Sequence, residues 1–261
     1  MNFGLSFKKK EHLTIPEKEE QKLNNENAQN KGDRWSFVAI LPRSGFVHAV
    51  HTAKRDKEQA KLFLQKIKRR SNGVAPLFLS DAWFYTSPLF EVYSYNREVP
   101  YSGRGRPRNP IRIVAEELKY AQVYKKRDKK GRIEAIETRI IKGTEEEIIE
   151  IIATTSRGAT KINTSFVEGK NGTYRKDNAR LNRKTACHSK KAIYHDAHIN
   201  FLTAVFNFCS ENIGLKKEIN PDAGLFEQKY QRISPAMKEG LTDKILSIKE
   251  LLVQRPKKVH Y

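Results

Sequence analysis

The stretch INTSFVEGKNGTYRKDNARLNRK, residues 162–184, is the main basis for predicting the fold and the function of this chain. One acidic residue, Glu168, lies near its start, in a run rich in Lys, Arg, Asn and Thr. Thr164 can cap a helix N-terminus, because its hydroxyl can accept a hydrogen bond from a free backbone N–H. The predicted helix carries two rows of polar side chains, the first being Glu168, Asn171 and Arg175 and the second Lys176, Arg180 and Arg183.

Two interpretations fit this helix. A carboxylate among cations suits a site at which a metal ion meets a phosphate backbone. Alternatively, the helix is a solvated basic surface with one incidental Glu, because runs of charge usually mark faces exposed to solvent.

Length and charge narrow the class of protein. The chain has 261 residues, room for one large domain or for one domain with an elaboration. Its formal net charge of +20 predicts attraction to polyanions, of which nucleic acid is the foremost. Charge alone would also allow a ribosomal partner or an anionic membrane surface.

Cysteine content and hydropathy indicate the compartment. Cys187 and Cys209 are too few for a disulfide framework or a paired-cysteine zinc site, which favours a reducing environment. No apolar run has the length of a membrane-spanning helix, and no signal peptide follows Lys8–Lys10. We therefore expect a cytoplasmic protein with no membrane partner.

The first half of the chain predicts strands and one helix. Strands are expected at 1–7, 35–41, 46–50 and 76–80, with a helix at 57–69. The first three strands should form an antiparallel meander, and the helix should cross to a fourth, parallel strand.

Asp81 follows the fourth predicted strand directly. Sheets of α/β proteins place ligand and metal sites at the carboxyl ends of such strands. Asp81 could equally be the N-cap of a helix over 82–94.

The second half predicts a basic loop, a hairpin and further helices. Strands are expected at 118–126 and 132–141, and helices at 144–153, 190–210 and 242–252. His195 and His198 are a poor metal signature, and we assign them to the polar face of their helix. Arg104, Arg106 and Arg108 lie in GRGRPR, residues 103–108, which fits either a minor-groove hook or a flexible basic loop.

Taken together, several segments resemble insertion-sequence transposases of bacteria and archaea, in particular the insertion-sequence-one type. The resemblance extends from about residue 3 to the C-terminus, and INTSFVE followed by the basic run is its most specific part. The other segments are 35–50, PLFLSD at 76–81, 103–107 with LKYAQV at 118–123, and 232–251.

The resemblance implies a fold. That fold is α/β: a ribonuclease H-like mixed sheet flanked by helices, with an inserted β-hairpin and a helical C-terminal extension. It divides the chain into a catalytic domain over 1–210, with the insertion at about 100–143, and a helical, basic tail over 211–261. The first strand is expected between the second and the fourth.

The resemblance also implies a reaction. Family members cleave and transfer DNA strands with an Asp-Asp-Glu triad that holds two Mg²⁺ (or Mn²⁺) ions. Asp81 matches the second Asp and Glu168 the Glu. Residues expected to contact DNA are Arg104, Arg106, Arg108, Asn171, Arg175, Lys176, Arg180, Arg183 and Lys184. The implied partners are double-stranded DNA, at the element ends and at the target, and further copies of the chain on DNA, in the nucleoid.

The first Asp of the triad departs from the family pattern. Its expected position falls at Met1 or Asn2, and no Asp or Glu precedes Glu11. Asp33 is the nearest substitute, but it lies at the start of the second strand. The zinc and helix-turn-helix region that family members carry at the N-terminus is also missing from the sequence. The hypotheses are thus an active transposase domain, a catalytically inactive DNA-binding remnant, or, from charge alone, an RNA- or ribosome-associated protein.

Overall fold

The computed structural model describes residues 35–82, 85–101, 103, 106, 108–181, 186, 187, 189, 191–224 and 227–254, together with the backbone of 2–4. Its strands are β1 (Asn2–Gly4), β2 (Trp35–Ile40), β3 (Val47–Ala53), β4 (Leu77–Asp81), β5 (Ser94–Arg97), β6 (Ile111–Val114), β7 (Lys119–Arg127), β8 (Ile133–Lys142), β9 (Lys216–Glu218) and β10 (Tyr230–Arg232). Its α-helices are α1 (Lys57–Arg70), α2 (Thr86–Val92), α3 (Glu145–Thr155), α4 (Ser165–Asp177), α5 (Ala192–Phe208), α6 (Pro235–Lys238) and α7 (Ile248–Val253).

Two three-stranded sheets form the centre of the fold. The first is antiparallel, in the order β1-β2-β3. The second is mixed, in the order β4-β7-β8, with β4 parallel to β7 and β7 antiparallel to β8. The expectation of an α/β fold with a mixed sheet and several helices is confirmed.

Helices cover one side of both sheets. Asp56 is the N-cap of α1, and its carboxylate accepts the Gln59 N–H at 2.9 Å; the helix carries basic residues in its last turn. Its buried Phe63 stacks against Phe37 of β2, with ring centroids 5.6 Å apart. The same cluster contains Leu89 of α2 and Tyr120 of β7, so one apolar core joins the two sheets.

The opposite side is covered by α3, α4 and α5. The helix α3 begins with a capping box between Thr144 and Glu147, and its Ile148 and Ile152 pack on Ala121 of β7. Tyr174 of α4 and Ile199 of α5 pack on β2 and β3. The start of α4 is thereby positioned beside the mixed sheet.

The buried face of α5 carries polar as well as apolar side chains. The side chains that point inward are Ala192, His195, Ile199, Thr203 and Asn207, whereas Ile193 and Phe201 are exposed. His195 is therefore in the core, not on the polar face, and its Nδ1 lies 2.6 Å from the Ser189 Oγ. The polar residues can face inward because each finds a hydrogen-bond partner.

Asn207 binds the backbone of β3. Its Oδ1 accepts the Val47 N–H at 2.9 Å, and its Nδ2 donates to the Val47 carbonyl at 3.0 Å. Lys66 and Arg70 of α1 donate to the carbonyls of Val50 and His48 on the same strand. Side chains from two helices therefore occupy polar groups along β3.

Three further differences concern the ends of elements. The helix expected at 82–94 spans Thr86–Val92, so Asp81 is not its N-cap. The hairpin expected as an insertion belongs to the mixed sheet, because Leu77–Asp81 of β4 pair with Lys119–Val123 of β7. The tail contains the antiparallel pair β9–β10 as well as helices, and its last helix begins at Ile248, after a capping box at Ser247.

The described residues contain no helix with the length and apolar character needed to cross a bilayer.

Candidate functional site

Asp81 lies at the carboxyl end of β4, opposite Val123 of β7. Side chains alternate across a strand, so Asp81 shares a face with Leu79, which packs in the cluster under α3. Its Oδ1 is buried and has no hydrogen-bond partner among the described residues. A buried carboxylate oxygen in this state has capacity to bind a cation or a donor.

Glu168 lies in the first turn of α4 and is held by two donors. The Thr164 hydroxyl donates to its Oε1 at 2.8 Å, and Lys125 of β7 forms an ion pair with the same oxygen. Lys125 lies two residues beyond Val123, so it extends from the same face of β7. Asp81 and Glu168 are therefore at the same end, and on the same face, of the β4–β7 pair.

The environment of Glu168 favours its ionised form. Partial burial alone would raise the pKa of this carboxyl. The hydrogen bonds from Lys125 and Thr164 and the charge of Lys125 outweigh that effect, and the pKa lies below its ordinary value. Glu168 is thus an anion at neutral pH, as a metal ligand must be.

Thr164 does not act as the sequence predicted. It occupies the N-cap position of α4, but its side chain makes no capping hydrogen bond. Its hydroxyl is directed to Glu168 instead, and Asn163 Oδ1 accepts the Ser165 N–H at 3.1 Å. The Thr164 hydroxyl therefore orients the Glu168 carboxylate and does not cap the helix.

The two predicted polar rows do not both run along α4. The helix ends at Asp177, and Arg180 lies in a separate one-turn 3₁₀ helix, Ala179–Leu181. Lys176 and Arg180 are exposed, whereas Asn171 is buried beneath the surface and is not available to a duplex. The predicted DNA contact at Asn171 is therefore not supported by its position.

The remaining predicted residues divide into two groups. Arg106 and Arg108 are exposed in the segment between β5 and β6, and Arg175 is half-buried on α4. Arg104, Arg183, Lys184 and Asp33 lie outside the described residues, as does the side chain of Asn2.

Lys125 and Lys170 were missed by the sequence reasoning. Lys125 is one of several cations near the end of a strand. It differs from the others because α4 packs beside it and brings Glu168 into contact with it. Lys170, next to the Glu168 turn, is buried against the rings of Phe206 and Tyr174. Burial lowers the pKa of Lys170 to about 7, although the charge of Asp177 acts in the opposite direction. The sequence offered one signal for the burial of Lys170. It lies four residues before Tyr174, so both side chains are on the same face of the helix.

Asp81 and Glu168 carry the kind of oxygen ligand that a divalent cation requires. Asp81 offers a buried oxygen without a partner, and Glu168 offers an ionised carboxylate. Hard cations such as Mg²⁺ prefer such oxygen ligands. Within the described part of the chain, His, Cys, Asp and Glu residues form no group of three that could hold a metal.

Comparison with protein-family models, with curated proteins and with solved structures found no match for this chain.

Proposed function

We propose that this chain is a DNA-binding phosphoryl-transfer domain of the transposase class, which cleaves and joins DNA strands with a divalent metal ion. The observation that carries the proposal is the placement of Asp81 and Glu168 at one end and on one face of the β4–β7 pair. Exposed cations at Lys176 and Arg180 follow on the same segment as Glu168. Carboxylates for a metal and cations for a phosphate backbone are the two requirements of this chemistry.

The sheets support a ribonuclease H-like order. The strand β1 pairs with β2 on the side away from β3. Beyond that pairing, residues 38–40 of β2 and 78–80 of β4 line one cavity of about 200 Å³, so this part of β2 lies near β4. The resemblance implies a first strand between the second and the fourth, which would join both sheets into one. Among the described residues, β1 pairs with β2 but not with β4.

The residues that would hold a metal are Asp81 and Glu168. A bound Mg²⁺ or Mn²⁺ would supply Lewis acidity towards a phosphoryl oxygen and lower the pKa of bound water. The protein's part is to fix the ligands: β4 ends at Asp81, and Thr164 and Lys125 hold the Glu168 carboxylate towards the sheet. A third carboxylate, which the resemblance would place at Met1 or Asn2, is needed for two metals because their mutual repulsion must be offset.

A second candidate function is supported by the same site. The ion pair with Lys125 already neutralises Glu168. A carboxylate that is neutralised internally suits a structural role, and the exposed cations would then serve DNA binding alone. A catalytically inactive DNA-binding remnant of a transposase has these properties.

A nicking assay separates the two candidates. Supercoiled plasmid is incubated with Mg²⁺ or Mn²⁺ and with one of four proteins: the unaltered chain, Asn2→Asp, Asn2→Asp with Asp81→Asn, and Asn2→Asp with Glu168→Gln. We expect little nicking by the unaltered chain, nicking by Asn2→Asp, and loss of that activity in both double variants. Thermal unfolding of all four proteins checks that each is folded.

The outcomes point in different directions. Tight DNA binding without nicking by any of the four proteins would favour the remnant. Equal nicking by all four proteins would show that Asp81 and Glu168 take no part in the reaction. Strong nicking by the unaltered chain that Asp33→Asn abolishes would make Asp33 the first ligand.

A further inference from the structure

The strand β8 is a long edge strand. It spans Ile133–Lys142 and pairs with β7 on one side, and no other described strand pairs with its outer edge. The free N–H and C=O groups of such an edge can bind another extended chain.

Exposed apolar side chains accompany this edge. Ile133, Ile136 and Ile140 are 49%, 63% and 38% exposed. Large apolar residues that are exposed next to an unpaired strand edge are typical of a surface that another protein covers.

The ladder between β7 and β8 is interrupted near both of its ends. Register shifts occur between Tyr120 and Ala121 and between Lys126 and Arg127. The stretch of β8 that pairs without interruption is therefore residues 135–140, with the sequence AIETRI. Bulges and charges protect many edge strands from pairing, so the charges of this stretch decide whether it repels or recognises a partner.

We propose that the partner is a second copy of this chain, whose β8 pairs antiparallel with this one about a two-fold axis at Thr138. In an isologous contact, residue i of one copy faces residue j of the other, and j faces i. With the axis at Thr138, each Ile136 faces an Ile140, and each Glu137 faces an Arg139. The two mixed sheets become one six-stranded sheet, β4-β7-β8-β8-β7-β4.

Arg139 is already oriented for this contact. Its guanidinium stacks over the Tyr124 ring at 4.1 Å and lies 3.7 Å from the Glu137 carboxylate of its own strand. In the dimer, each Glu137 lies between two Arg139 side chains, its own and that of the second copy. Opposite charges on facing residues stabilise a strand pair, and like charges destabilise it.

Neighbouring registers lack this complementarity. An axis at Glu137 places two Glu137 side chains opposite each other, and an axis at Arg139 does the same for two Arg139 side chains. A slip of a single residue would place Ile136 opposite Arg139, which lie on different faces of β8, and is incompatible with a two-fold axis. The sequence of β8 therefore specifies one register and disfavours its neighbours.

Charge reversal tests the contact. The nuclease-treated full chain is studied by sedimentation equilibrium, and we expect a concentration-dependent mass that reaches two chains. Glu137→Arg or Arg139→Glu alone should weaken the dimer about tenfold or more, because two unfavourable pairs replace two favourable ones. The double variant restores both pairs and should dimerise within about threefold of the unaltered chain. Lys129→Glu, in the exposed turn of the same hairpin, is the matched control and should leave dimerisation unchanged.

A disulfide tests the register. In a Cys187→Ser background, Thr138→Cys should oxidise to a covalent dimer, because facing Cα atoms in antiparallel strands are within disulfide range. Glu134→Cys should not, because its counterpart in the other copy is far along the strand. A monomer at every concentration, failure of the double variant to restore a folded dimer, or cross-linking at Glu134→Cys but not at Thr138→Cys would each overturn the proposal. The contact involves neither Asp81 nor Glu168, so its outcome is independent of the proposed reaction.

Discussion

Among the residues that the structure describes, Lys170 is the one whose environment conflicts most with its charge. It is 6% exposed, packed between Tyr174 and Phe206, with its pKa lowered to about 7. The unfolded chain has an ordinary lysine pKa near 10.5, so between about pH 7 and 10.5 the unfolded state binds more protons than the folded state. The contribution of Lys170 to stability therefore improves as the pH rises through this window.

Lys170→Met should stabilise the protein, because it removes the cost of burying an amine. We expect the gain in free energy of unfolding to be on the order of 1–3 kcal/mol at pH 7 and to shrink towards pH 10. Urea unfolding of both proteins at several pH values measures the difference. Lys176→Met, an exposed position on the same helix, should change stability little. A gain that is independent of pH would contradict the account of Lys170.

The sequence predicted part of the site at this scale. Asp81 and Glu168 were chosen as candidates because one ends an apolar strand and the other is an acid on a basic segment, and their role stays a prediction. Lys125 was not chosen, because its contact with Glu168 depends on how α4 docks on β7, 43 residues away in sequence. His195 was misassigned for a related reason: hydropathy does not register the hydrogen-bond partners that let a polar side chain face a core.

At the scale of elements, α4 is weakened by its own sequence. Gly169 and Gly172 lie in its middle, and a Cβ atom added at either position would meet no atom within 4 Å. Glycine in a helix interior costs about 1 kcal/mol relative to alanine.

Gly169→Ala and Gly172→Ala should therefore each raise the free energy of unfolding by about 0.5–1 kcal/mol. Gly143→Ala is the contrasting variant. Its φ is +96°, and a Cβ there would lie 2.7 Å from Lys119 Cδ, so we expect destabilisation by about 1–2 kcal/mol. Thermal unfolding of the three variants measures both the expected gains and the expected loss of stability. A loss of stability on filling either α4 glycine would show that α4 is not the regular helix described.

Long elements with a clear hydrophobic period were predicted, and short ones were not. The β2–β3 hairpin, α1, β4, the β7–β8 hairpin and α3 follow the expected boundaries to within a few residues. The strands β5, β9 and β10 have three or four residues that are mostly exposed, so they carry no period-2 pattern. These strands form where the chain turns back on itself, and their partners are not encoded in a local sequence pattern.

At the scale of the whole molecule, a net charge of +20 predicts duplex DNA binding with a steep dependence on salt. Lys176→Gln with Arg180→Gln should lower the slope of log affinity against log salt concentration by about 2, because roughly 0.9 is lost per phosphate contact. Fluorescence anisotropy of labelled duplexes at several salt concentrations gives this slope.

Lys129→Gln with Lys130→Gln is the matched control, since it removes the same charge from the exposed β7–β8 turn. We expect its slope to stay close to that of the unaltered chain. Equal slopes for the two double variants would mean that DNA is held by overall charge and not by the segment after Glu168.

The Asn207 amide, bound to both polar groups of Val47, limits how far molecules of this kind can polymerise. Together with Lys66 and Arg70, it occupies β3 groups that an incoming strand would otherwise need. An edge closed in this way cannot receive the β8 of a third molecule, so β3 offers no route from the dimer to a filament. Asn207→Ala would leave the N–H and C=O groups of Val47 without these hydrogen bonds. The protein would then have a second strand edge at which another chain can add, and repeated addition at two edges produces a fibre.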